Sequence, residues 1–199
     1  ETNARTLQDA LPSADIFLGL SAPRVLKPEW LKLLAPNPLV LALAANRPQL
    51  VKTLIGVTPP VLPAAGIDQW VEHMNTKGVV DWAAHTMQGR LGSKATKAEV
   101  DWWIHHLQGK TALSTLQSYL RWVPKLDIRE DVKRITCPTL IITTTGSGLR
   151  SVDGVKAWVS GVKSAQLLVM EGDAWHAAGA YPDRCAEASL KFLAEQAQA

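Results

Sequence analysis

The stretch ITCPTLIITTTGSGLRSVDGVKAW at residues 135–158, followed by AQLLVMEGDAWHAAGAYPDRCAEASLKFL at 165–193, decides the fold class. Twice a short apolar run, Thr139 to Thr145 and then Ala165 to Glu171, leads through a glycine-containing loop into a segment with helical spacing. Runs of this kind suit strands of a sheet that is covered on both faces. Val51 to Val57 is a third such run, and Asp15 to Ser21 (DIFLGLS) a fourth. Pro28 is placed to open a helix over KPEWLKLLA, which Pro36 and Pro38 stop. Leu39 to Ala44, inside LVLALAA, has two readings. Leu and Ala favour helix, whereas the short length and flanking prolines favour a buried strand, and strand is the expectation. The βα rhythm gives an α/β fold in a single domain over 1–199, with a mostly parallel sheet of about five strands and helices on both faces.

Residues 59–131 interrupt that rhythm. VVDWAAHTM, KAEVDWWIHHL and LSTLQSYLRWV each carry apolar residues at helical spacing, so the region reads as a helical cap inserted before the C-terminal strands and helices of 132–199. Five of the eight tryptophans fall in it, Trp70, Trp82, Trp102, Trp103 and Trp122. They either pack the cap onto the sheet or wall an apolar substrate pocket.

The chain is 47% hydrophobic with a formal charge of +3, and its basic residues are scattered among acids. That pattern excludes a phosphate-backbone footprint, so no nucleic acid is expected. No apolar stretch reaches the ~18 residues of a membrane span, and residues 1–20 lack a cleavable signal pattern. Cys137 and Cys185 show neither CxxC nor finger spacing, which fits reduced thiols and a cytoplasmic protein. The chain begins at Glu1, as a piece trimmed from something longer would.

In order and spacing, the blocks at 135–158 and 165–193 resemble the last two strand and helix pairs of α/β-hydrolases of the enol-lactonase and haloperoxidase kind. The resemblance runs over residues 42–195 and implies the C-terminal part and helical cap of that fold. Upstream, ADIFLGLSAPRVLKPEWLKLLAPNPLVLALA at 14–44 resembles the NAD-binding domain of bacterial malic enzymes, so residues 1–44 read as a βαβ segment of that origin. The two meet near Leu41 to Asn46, and the chain resembles a chimera.

In α/β-hydrolases the catalytic histidine follows the last strand, which places that role on His176, as general base. The family's carboxylate position falls on Ser147, whose hydroxyl carries no charge to hold an imidazolium; Asp153, Glu171 and Asp173 are the nearby substitutes. The G-x-S-x-G elbow is absent ahead of LALAANRP. Gly19-Leu20-Ser21-Ala22-Pro23 comes nearest, making Ser21 the candidate nucleophile, although Pro23 replaces the second glycine and GLSA also reads as an ordinary strand exit. The substrate wall would be Trp82, Trp102, Trp103, Trp122 and Trp175. The glycine fingerprint of dinucleotide binding is missing, so NAD is not expected and no cofactor is assigned. The alternative is a divalent metal such as zinc. Asp101 and His105 stand i, i+4 on one helix face, and a third ligand would come from His73, His85 or a second subunit.

The expected function is a weak, promiscuous hydrolase of activated esters or phosphoesters, phosphotriesters included, with a small apolar ester-like substrate. A catalytically silent folded chimera is the alternative, and metal-assisted hydrolysis the third reading. A sheet that lacks its first strands leaves an open edge, from which a homodimer is expected.

Overall fold

The computed structural model describes residues 40–62 and 67–197. Its elements are α1 (Val40–Asn46), β1 (Leu54–Val57), α2 (Ile67–Lys77), α3 (Val79–Leu91), α4 (Lys97–Trp102), α5 (Leu113–Trp122), α6 (Arg129–Val132), β2 (Thr139–Thr144), α7 (Val152–Val159), β3 (Ala165–Met170), α8 (Ala177–Ala180) and α9 (Pro182–Ala197). The expected strand at Asp15 to Ser21 and the helix opened by Pro28 lie outside the described residues.

Among the described residues the sheet has three strands in the order β1-β2-β3, all parallel. β2 is buried over all six residues, as a central strand covered on both faces must be. Its alternate side chains divide the core. Ile141 joins Leu54, with α1, α6 and α7, on one face. On the other, Leu140, Ile142 and Met170 meet Cys185 and Phe192 of α9. Both cysteines are buried free thiols.

The strand expected at Leu39 to Ala44 is corrected: this segment is helix α1. Leu41, Ala44 and Ala45 stand i, i+3, i+4 and bury one stripe against the core shared with Val132 of α6 and Leu54 of β1. Packing that stripe selects the helix that Leu and Ala already favour.

Between β1 and β2, α2 to α5 and the turn Trp103–Leu107 build a core of their own from Met74, Trp82, Met87, Leu91, Ile104, Leu116 and neighbours. Gly92 ends α3 at φ +88°, a conformation that a side chain would strain. After it, α4 starts in a capping box. Glu99 N–H donates to Thr96 Oγ1 at 3.3 Å, and Thr96 N–H donates to the Glu99 carboxylate at 2.7 Å. α4 runs straight into a single π-helical turn, Trp103–Leu107. Among the described residues no helix is long and apolar enough to cross a membrane.

Thr96→Ala removes one half of the box, and it is expected to cost about 1 kcal/mol. A urea melt beside the parent chain checks this, and an unchanged midpoint would deny the cap its role.

Candidate active site

The exits of β2 and β3 are stitched together at their carboxyl ends, where open parallel sheets place their ligands. Gly146 N–H donates to Gly172 O at 2.8 Å, and the buried Thr144 hydroxyl donates to Ala174 O at 2.9 Å. These bonds fix the loop that carries Trp175 and His176. The His176 N–H donates to Arg90 O at 2.8 Å, tying the loop to the end of α3.

The imidazole of His176 lies parallel to the Trp103 indole, with centroids 5.1 Å apart and an 18° angle between planes. Trp103 reaches it because Gly179, in α8, offers no Cβ: one built there would overlap Trp103 Cζ2. The π-turn aims Trp103, an irregularity that recurs at functional positions.

His176 Nε2 is buried without a hydrogen-bond partner, and so is Ser147 Oγ. The two therefore do not bond to each other. Burial, with the charge of Arg90 added, lowers the imidazole from its usual 6.5 to about 4. No carboxylate opposes that shift. Asp173 accepts from Ser93 N–H at 2.9 Å, which lowers its own pKa, and its neighbour Tyr181 lowers it further. Asp153 sits on α7 near Lys156 at 3.9 Å, and Glu171 is exposed. The substitution of Asp153, Glu171 or Asp173 for the missing carboxylate is thus corrected: none of them partners the imidazole. Ser21 lies outside the described residues.

The tryptophans divide. Trp103 faces His176, and Trp175 lies under the Arg150 guanidinium at 5.7 Å. Trp82 is 2% exposed inside the helical core, so it packs that core instead of facing a pocket. Trp122 packs against the core beneath α1 and α7. Trp102 is 53% exposed and stacks on His106, with centroids 6.1 Å apart.

Asp101 pairs with Lys97 of the same helix. Among the described residues no group of three His, Cys, Asp or Glu side chains could hold a metal ion. His73 and His85 stack with centroids 5.4 Å apart, and His73 Nε2 bonds to Asp81 at 2.6 Å. They do not complete a set with Asp101 and His105.

Arg90, beside His176, and its partner Gln108 escaped the sequence. Arg90 is 7% exposed, its guanidinium lies 4.7 Å from the Trp82 ring, and its Nη1 donates to Gln108 Oε1 at 3.1 Å. Desolvation lowers its pKa to about 10. An arginine near the end of an amphipathic helix has no motif to announce it.

With this geometry in view, solved structures place the fold. A hydrolase from Pseudomonas aeruginosa superposes with a TM-score of 0.66 at 19% identity, over 77% of this chain and 59% of that one. The enol-lactonase from Burkholderia xenovorans gives 0.66 at 14%, over 77% and 60%. For the bromoperoxidase from Bacillus anthracis the values are 0.65 and 14%, over 72% and 58%. The described residues have an α/β-hydrolase fold.

By sequence the chain is similar to other proteins. An NAD-dependent malic enzyme from Rhizobium meliloti is 33% identical over 96 residues, 44% of this chain and 12% of that protein. An NADP-dependent malic enzyme from Escherichia coli is 39% identical over 72 residues, 36% of this chain and 10% of that protein. The chain spans about a tenth of these relatives and about three fifths of the structural neighbours. No family model matches it. One polypeptide thus combines a malic-enzyme-like stretch with an α/β-hydrolase fold, the chimera that its motifs imply.

Folding holds His176 neutral to about pH 4, whereas the unfolded chain protonates it near 6.5. Its contribution is present above about 6.5 and is lost as pH falls toward 4, on the order of 2–3 kcal/mol. Urea melts from pH 7 to 4 should show that slope, and His176→Phe should flatten it. An equal slope in both proteins would assign it elsewhere.

Proposed function

We propose that this chain is a weak, promiscuous hydrolase of activated esters and phosphotriesters, with His176 as its general base. The observation that carries the reading is the unpartnered Nε2 of a neutral imidazole at the carboxyl end of β3, against the Trp103 ring. A base with its pKa near 4 accepts a proton weakly, so it assists only attacks whose leaving group departs without help. Aryl esters and aryl phosphotriesters meet that condition. With no carboxylate to stabilise the imidazolium, low turnover is expected. The α/β-hydrolase fold of its structural neighbours supports the class of reaction.

A second reading, the catalytically silent chimera, draws on the same vacancy of partners: Ser147 Oγ and His176 Nε2 do not meet, and both are closed from solvent. Metal assistance by Asp101 and His105 rests on a donor pair without a third member among the described residues, and no step is derived through it.

Turnover of an aryl ester and an aryl phosphotriester by the purified chain, with and without a strong chelator, tests these readings. Hydrolysis above the buffer rate that His176→Ala reduces at least tenfold, with an acid limb of kcat/KM near pH 4 instead of 6.5, is the expected result. Turnover indifferent to His176 would sink it, chelator sensitivity would revive the metal, and no turnover would leave the silent chimera.

A homodimer is proposed as well. β3 (AQLLVM) carries no charge, and among the described residues only β2 pairs with it, so its outer edge is a template for a second copy. A groove of about 420 Å³ beside it is lined by Arg184, Glu187, Lys191 and Glu195 of α9. Among the described residues none of these four enters an ion pair. In an antiparallel, two-fold pairing of α9 with its copy, Arg184 faces Glu195 and Glu187 faces Lys191, the self-complementarity of an isologous interface. Sedimentation should give a dimer mass, which Arg184→Glu lowers and the added Glu195→Arg restores. A monomeric parent chain, or a double variant no better than the single, would refute the pairing.

A further inference from the structure

Three buried donors on Arg90 and Trp82 are left without a partner. They are Arg90 Nε, Arg90 Nη2 and the indole Nε1 of Trp82. Within the guanidinium, Nε and Nη2 form one edge, with two N–H bonds side by side, and the opposite nitrogen Nη1 is already taken by the neutral Gln108 side chain. No carboxylate compensates the charge: burial is what moves the arginine, and the charged or titratable group it faces is His176. A buried cation without a counter-ion is costly to hold, and the cost falls when an acceptor-rich anion completes the shell.

We propose that Arg90 is an anion subsite beside His176, taking a carboxylate or a phosphodiester monoanion through a two-point contact on its Nε and Nη2 edge. The O–C–O of a carboxylate and the O–P–O of a phosphodiester both match two parallel N–H bonds, which a single-atom ion such as chloride does not. Gln108, half-buried on the 3-10 turn Gln108–Lys110 that follows the π-turn, connects the guanidinium with the surface and marks the entry. The indole face of Trp82 holds the guanidinium plane in place. Ester hydrolysis releases a carboxylate and phosphotriester hydrolysis a phosphodiester, so the subsite retains the acid product beside the base. Only this last point rests on the hydrolase reading. Binding itself needs no turnover, so the two fail separately.

The test titrates benzoate, diethyl phosphate and chloride into the purified chain. Expected are a saturable rise in Tm with the two oxyanions and none with chloride at equal ionic strength. Arg90→Leu should abolish the rise, while Arg121→Leu, an exposed position, keeps it. In the parent chain the His176 imidazole resonance, followed by NMR against pH, should titrate at higher pH when diethyl phosphate is bound, because an anion beside the ring favours its protonated form. This last measurement decides the matter without any variant having to fold. No saturable rise, a rise that survives Arg90→Leu, or a His176 titration indifferent to diethyl phosphate would each overturn the subsite.

Discussion

Strand β2 is buried from Thr139 to Thr144 and hydrogen-bonded to a strand on each side. A strand so placed requires cover on both faces, and most of the architecture answers that requirement. α1, α6 and α7 supply one cover and α8 with α9 the other. Because the hydroxyl of the last β2 residue binds Ala174 O, the same strand also sets the height of the loop that bears His176. α1 answers the requirement for cover by bringing an apolar stripe, Leu41, Ala44 and Ala45, to this core. Joining pieces of two families is tolerated on this condition, since packing accepts a new segment of the right shape and polarity whatever its origin.

The site departs from hydrolase design in its electrostatics. In the α/β-hydrolases that the sequence resembles, the catalytic histidine is held by a carboxylate and faces a serine; His176 is held by backbone bonds, stacked on Trp103 and set beside a cation. Desolvation and the neighbouring charge act in the same direction, so the ring stays neutral, a weak base instead of one poised near neutrality. Arg90 shares this environment. Its buried charge lies beside the neutral ring, and burial alone moves its pKa.

The sheet was legible because its strands announce themselves. TLIITT and AQLLVM have the length, apolar content and β-branching of buried strands, and the structure starts and ends them within a residue of the expected bounds. LVLALAA was not legible, since its composition suits a helix while its prolines and length suit a strand, and the choice depends on which neighbour its stripe meets. The candidacy of His176 rests on its place after the last strand. Trp82 had two readings because an indole in a cap has the same spacing whether it faces a pocket or the helical core, where it packs. Arg90 left no trace in sequence, because its burial is produced by Trp82, Gln108 and His176, at distances along the chain that no local pattern encodes.

By itself the sequence determined the alternation of strand and helix from Thr139 onward, the α/β class, the joining of two family resemblances, and the absence of a glycine fingerprint and a serine elbow from these residues. These are local properties, fixed by the period of apolar residues and by which residue types stand at each position. Only the tertiary structure decided that α1 is a helix, that no nearby carboxylate reaches His176, and that an arginine lies buried beside it with two donors free. Those outcomes are set by packing and desolvation between segments far apart in the chain, and burial is a property that no residue possesses until its neighbours arrive.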